Sequence, residues 1–254
     1  MTEQPVYFSE PNQSMIMASQ QAQASFKYFW RELSWEYRRI IPALALSAIK
    51  IAFDNRNNDN DGPEFEHMWA GDVNFDGDTV SGTLLNTPQW VTSVQAEDTV
   101  SVPFAYVSDW MYVLSDKVYG AYTVNVMRSH MSAEEREHHD DAWGFNFGDP
   151  KTIDMIAYDR SPDIELDRQE HPMSENMAAK IDEALTQSPT AVTQQDADGW
   201  TMLHHEALAG NLAPVRILLA HGADPMVRNG NGDTASDLAQ KMGWPNIVEI
   251  LASA

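Results

Sequence analysis

The chain has 254 residues, 43% of them hydrophobic, and no cysteine. That allows one large or two modest domains with a sizeable core, and it excludes disulfides, thiolate zinc sites and a cysteine nucleophile. Thirty-eight acidic against sixteen basic residues give a formal charge of −22, a field that repels nucleic acid and anionic membranes and speeds encounter with basic partners.

The excess is −8 over residues 1–131, −8 over 132–171 and −6 over 172–254, so it is densest in the middle. The start, Met1-Thr2-Glu3-Gln4-Pro5, has neither the basic residues nor the apolar run of a signal peptide. No stretch approaches the ~20 apolar residues of a membrane span. A cytoplasmic protein is expected.

Residues 15–44 carry a helical period, with Phe26, Phe29, Trp30, Leu33, Tyr37, Ile40, Ile41 and Leu44 on one apolar face and Pro42 to end or kink it. Ile49, Ile51 and Phe53 then alternate as in a strand. After a polar loop, Asp54 to Pro63, the residues Phe65, His67, Trp69 and Val73 suggest a second strand. Asp76-Gly77 is a hairpin signal and Val80–Leu85 the strand that follows. Val100–Val107 and Tyr122–Met127 are further strand candidates. One helix followed by short strands predicts an α+β domain with a mostly antiparallel sheet.

Residues 132–171 are charged and weakly periodic, and read as a linker packed through Trp143, Phe145 and Phe147. From Ser174 a helical pattern resumes with Met177, Ile181 and Leu185. Beyond it lies a self-similarity of 33 residues. Gly199-Trp200-Thr201-Met202-Leu203-His204 recurs as Gly232-Asp233-Thr234-Ala235-Ser236-Asp237. The same offset maps Gly210 onto Gly243, Val215 onto Val248, Ile217 onto Ile250 and Leu218 onto Leu251. A period of this size marks stacked helical hairpins, and with the turn His221-Gly222-Ala223-Asp224 the segment resembles ankyrin repeats. That resemblance implies an all-α stack over 172–254, a capping helix plus two repeats, used for protein contact. It also implies structural hydrogen bonding for Thr201 and His204. Two repeats and a cap barely bury a continuous face, so the stack is expected to lean on the first domain.

The first part carries a second resemblance. The residues Phe26-Lys27-Tyr28-Phe29-Trp30-Arg31-Glu32-Leu33, Glu66-His67-Met68-Trp69, Gly82-Thr83-Leu84-Leu85-Asn86-Thr87-Pro88, Asp109-Trp110 and Tyr119-Gly120-Ala121-Tyr122-Thr123-Val124 together resemble the bacterial family of domain of unknown function 2314. It implies a compact α+β domain over 1–148, and relatives of such domains occur among immunity proteins of bacterial toxin systems. Residues 149–171 then form an acidic linker.

Several groups invite a chemical reading. Glu66, His67 and Asp109 form an acid-base group only if the fold brings them together. The structural reading is preferred, in which His67 and Trp69 lie on an inward strand face and Asp109 caps a turn. Asn57–Gly62 and Asp72–Gly77 begin like calcium loops but place Met68 and Thr83 where the bidentate acid belongs, so both read as hairpin loops. Glu134, Glu135, His138 and His139 have metal-compatible spacing, with an exposed charged helix preferred. No Gly-rich phosphate loop and no nucleophile elbow occur.

No catalytic, cofactor or metal residue is therefore expected, and the function indicated is non-enzymatic protein binding. The candidate contacts are Trp200, Met202, His205, Glu206, Arg228 and Trp244. Met202, His205 and Glu206 depart from the ankyrin pattern, and Trp244 serves equally as an interface anchor or a C-terminal cap. The expected partner is a basic protein such as a toxin, with no nucleic acid and no membrane. The competing reading is an enzyme or small-ligand sensor with a pocket near His67, Trp69 and Trp110.

Overall fold

The computed structural model describes residues 13–58 and 60–254. Met1–Pro5, searched above for a leader, and Asp59 of the first acidic loop lie outside the described residues. The chain divides into two compact units. One holds residues up to Phe29 together with Glu36–Ala157, the other Trp30–Trp35 together with Tyr158–Ala254.

The first unit is an α+β domain. Its sheet has the order β4-β3-β2-β1-β5-β6, with every neighbouring pair antiparallel. The strands are β1 Leu44–Asp54, β2 Phe65–Phe75, β3 Thr79–Leu84, β4 Thr99–Pro103, β5 Val107–Leu114 and β6 Lys117–Gly120. Register decides which side chains share a face. Trp69, Lys50 and Asp109 lie abreast on one face, and Ala70, Ile49 and Trp110 on the other.

The face bearing Trp110 packs on helix α1, Gln13–Glu36. Phe29 lies 5.6 Å from the Trp110 ring, and the indole N–H donates to Ala22 O at 2.8 Å. The opposite face builds a core of Ala48, Trp69, Met111, Val113, Ala121, Val124 and Phe147 with α2, Tyr122–Ser129.

The structure corrects four sequence expectations. Helix α1 stops at Glu36, not near Pro42, because the Glu36 carboxylate turns back to accept Ala43 N–H at 2.8 Å and Leu44 N–H at 3.2 Å. Tyr37, Ile40 and Ile41 are consequently exposed rather than on a buried face.

Tyr122–Met127 is helical, not a strand. The Asp109 carboxylate accepts the backbone N–H groups of Tyr122 at 3.0 Å and Thr123 at 2.7 Å, which fixes the start of α2 despite its aromatic and β-branched residues. Val100–Val107 is broken by a 3-10 turn at Phe104–Tyr106. The next strand, β5, is buried along nearly its whole length, so it lacks the alternation that marks a half-exposed strand.

The charged stretch after Ser132 is the structured helix α3, Ala133–Trp143, opened by a reciprocal Ser132–Glu135 capping box. It is tied down by buried Arg128, which pairs with Asp140 at 2.6 Å and donates to Gly148 O at 3.0 Å.

The second unit is helical, with α4 Pro172–Gln187, α5 Met202–Ala209, α6 Leu212–Ala220, α7 Ala235–Met242 and α8 Pro245–Leu251. The 33-residue period is visible in its caps. Thr201 and Thr234 each close a capping box. Gly210 and Gly243 each end a helix in the left-handed region, at φ 74° and 67°, where only glycine avoids strain.

Asp109 is fully buried and surrounded by donors. Besides α2, it accepts from Trp110 N and from the hydroxyl of Thr123, which itself accepts from Lys50 Nζ at 2.7 Å. Burial pulls the Lys50 ammonium pKa down and pushes the Asp109 carboxyl up, and the attraction between the two opposes both effects. Asp109→Ala leaves the buried Lys50 cation without its counter-charge and two helix N–H groups without an acceptor. The expected cost is about 3–5 kcal/mol, measured by urea unfolding of the full chain. A loss under 1 kcal/mol would remove the pair from the fold's framework.

Candidate protein-binding surface

The residues that suggested acid-base chemistry do not meet. Glu66 and His67 are adjacent on β2 and point to opposite faces. The Glu66 carboxylate accepts Gln89, Trp90 and Val91 N–H at 2.7–2.9 Å and so shapes the loop after β3. His67 keeps an exposed edge, with Nδ1 2.9 Å from Ser108 Oγ. Lost hydration and the nearby Lys50 cation pull its pKa down to about 4. Trp69 and Trp110 lie on opposite faces of the sheet, so no pocket forms between them.

On α3, Glu135 is taken up by the capping box and His139 Nδ1 lies 2.9 Å from Asp140. In the loops, Asn60 Oδ1 accepts Gly62 N–H and Asp76 closes the β2–β3 hairpin through Asp78 and Thr79 N–H. No group of three or more potential ligands capable of holding a metal occurs among the described residues.

In the second unit the six candidate contacts separate into two sets. Trp244, Glu206 and Trp200 are buried and cannot anchor an external partner. Trp244, 1% exposed, lies against Gly210, where an added Cβ would come within 2.4 Å of the indole. Its N–H donates to Leu208 O at 3.1 Å.

Over Trp244, at 3.7 Å, sits the guanidinium of Arg31 from the last turns of α1. Arg31 is 2% exposed and donates to Gln169 O at 2.8 Å, Ala209 O at 3.3 Å and Tyr158 Oη at 3.3 Å. Glu206, a departure from the ankyrin pattern, accepts from Asn211 Nδ2 at 2.8 Å. Asn211 Oδ1 in turn accepts the Trp35 indole N–H at 2.9 Å.

Beside them, His171 Nε2 lies 3.0 Å from the Glu32 carboxylate, and its Nδ1 accepts Met173 N–H to cap α4. The departure at Glu206 is therefore answered by the chain's own Trp30–Trp35 segment. Sequence reading placed Arg31, Glu32 and Trp35 in the first domain.

The second set is exposed. Met202 and His205 project from α5, and Arg228 from the turn before α7. Trp200 lies under this surface as its floor, stacked on His205 at 5.0 Å. His205 Nε2 is 3.5 Å from Asp196, whose other oxygen accepts Asp198 and Trp200 N–H. The two turns are joined by Gly230 N–H to Asp198 O at 2.7 Å and by His204 Nε2 to Val227 O at 3.0 Å. His204 also bonds Thr201, as the ankyrin resemblance implied. Met226, which sequence reading passed over, is 71% exposed beside Arg228 at 62%. Asp224-Pro225 just before it marked a turn tip.

Two outcomes are expected from this geometry. Arg31→Ala removes three hydrogen bonds and a desolvated cation–π contact, and should cost the second unit about 3 kcal/mol or more. The readout is Trp fluorescence during thermal unfolding, and an unchanged transition would refute the assignment. His67 is neutral when folded and has a folded pKa of about 4 against 6.5 in a free side chain. Its contribution is therefore complete above pH 6.5 and is lost as pH falls toward 4. NMR should place its titration midpoint well below 6, and a midpoint near 6.5 would contradict the burial argument.

Comparison with known proteins gives the family. Residues 12–147 match the family described as an uncharacterized protein conserved in bacteria (DUF2314), and residues 174–254 match ankyrin repeats. The putative ankyrin repeat protein NMB1133/NMB1171 of Neisseria meningitidis serogroup B is 41% identical over 245 residues, 96% of this chain and 95% of that protein. The uncharacterized protein YegJ of Escherichia coli K12 is 33% identical over 72 residues, 28% of this chain and 47% of its own. The human NAD-capped RNA hydrolase NUDT12 is 33% identical over 101 residues, only 22% of that protein. The repeats and the full-length relative support a protein-interaction role. With the matches covering both units in this order, the chain belongs to the DUF2314 family, joined here to C-terminal ankyrin repeats.

Proposed function

We propose that this is a cytoplasmic, non-enzymatic binding protein whose partner is a basic protein, and that it acts by neutralising that partner as an immunity protein does a toxin. The observation that carries the reading is the surface of Met202, His205, Met226 and Arg228. It presents two exposed methionines, Met202 and Met226, near turns joined by the Gly230 N–H to Asp198 O bond, with exposed Asp196, Asp198 and Asp224 in the same turns and a net charge of −22 on the chain. Unbranched methionine side chains adapt to a partner, while the carboxylates steer a basic surface toward them. A preformed turn loses little entropy on binding.

The enzyme or sensor reading loses its geometric support, since Glu66, His67 and Asp109 each hold local structure and Trp69 and Trp110 face apart. The similarity to NUDT12 covers too little of that hydrolase to carry its chemistry over. Among the described residues, no helix is long and apolar enough to cross a membrane.

The test begins with affinity purification and identification of what binds stoichiometrically, followed by surface plasmon resonance. Association should slow about tenfold or more between low and physiological salt. Met226→Ala with Met202→Ala should speed dissociation about tenfold or more. Salt-independent association would remove the basic partner from the proposal, and unchanged dissociation would move the contact off the repeats.

A further inference from the structure

The turn that follows Arg228 contains two Asn-Gly pairs, Asn229-Gly230 and Asn231-Gly232. Asparagine is thermally labile, and a following glycine makes it more so. Glycine has no side chain to hold its backbone nitrogen away from the asparagine side-chain carbonyl, and its backbone rotates freely. The fold treats the two pairs in opposite ways.

Asn229 is buried, and its Oδ1 accepts Asn231 N–H at 3.1 Å and Asp233 N–H at 2.9 Å. Its Nδ2 is enclosed. The nitrogen that would attack it, on Gly230, donates to Asp198 O at 2.7 Å. Gly230 also packs on that carbonyl, which lies 2.7 Å from where a Cβ would stand. Reaction at Asn229 therefore requires a local opening that breaks these bonds. Asn231 and Gly232 are both exposed. Among the described residues the Asn231 carboxamide has no hydrogen-bond partner. Gly232 sits at φ 85° with open space where a Cβ would stand. Its nitrogen is held by one hydrogen bond, to Asn229 O at 2.9 Å.

We infer that Asn231 is a site of spontaneous deamidation and that the fold protects Asn229. The Gly232 nitrogen bonds to Asn231 Cγ. Its proton passes through solvent to the side-chain nitrogen, and that C–N bond breaks to release ammonia. Water then opens the cyclic imide at either carbonyl, giving aspartate or isoaspartate. Both products add a negative charge to the turn. Isoaspartate also inserts a methylene into the backbone before Gly232, whose N–H donates to Asn229 O and whose carbonyl accepts Arg228 Nη1. The turn that carries Met226 and Arg228 thus changes charge and shape as the protein ages. The chemistry needs no partner; only its effect on binding rests on this turn being a contact surface.

The experiment incubates the full chain in mildly alkaline buffer, folded or in guanidinium chloride, with samples taken over time. Trypsin releases Asn229–Lys241, which carries both pairs, and fragment masses locate each amide-to-acid conversion. In the folded chain Asn231 should convert about tenfold or more faster than Asn229, and in denaturant the two rates should converge. Gly232→Ala, with folding checked by circular dichroism, should slow conversion at Asn231 about tenfold or more. Equal rates at the two asparagines in the folded chain, or faster conversion at Asn229, would overturn the inference. So would a folded chain inert at Asn231 while the unfolded chain reacts, or an unchanged rate in Gly232→Ala.

Discussion

The second unit is organised around one buried cation. Arg31 stacks on Trp244 and donates to backbone carbonyls at Ala209 and Gln169. A guanidinium taken out of water is destabilising unless its donors are matched. Here three acceptors and an indole face match it, and they come from the end of α5, the residue just before α8, and the segment before α4. Those elements must be in place together for Arg31 to be satisfied. A short repeat array has little apolar contact per unit, so a fully bonded side chain reaching in from α1 supplies a constraint that the repeats alone lack. Glu206, Asn211 and Trp35 continue the network, as do Glu32 and His171.

The first unit uses buried acids in a related way. Asp109 and Glu66 are the residues a search for catalysis would choose, and both are saturated with local donors. Asp109 opens α2 and Glu66 orders the loop at Gln89–Val91. A carboxylate already accepting three or four hydrogen bonds is held in place by them. The polar interior of this unit serves the geometry of the chain.

What remains available for recognition is therefore on the outside. The repeat turns offer Met202, His205, Met226 and Arg228 over a tryptophan floor. The α1–β1 turn exposes Tyr37, Ile40 and Ile41.

The sequence by itself determined what rests on local periodicity and spacing. The ankyrin stack followed from a 33-residue offset, because cap residues such as Thr201 and Thr234 or Gly210 and Gly243 answer backbone requirements that recur with each hairpin. The antiparallel sheet followed from alternation in β1 and β2, where one face meets the core more fully than the other. Tertiary structure decided the rest. Tyr122–Met127 became a helix because Asp109, thirteen residues earlier, supplies its cap. β5 was illegible because both of its faces are buried. Of the candidate contacts, Trp244, Glu206 and Trp200 turned inward because Arg31, Asn211 and His205 cover them, the first of these from more than two hundred residues away. Propensity and period report on neighbours within a turn or a strand, whereas burial of a polar group depends on partners that only the folded chain brings within 3 Å.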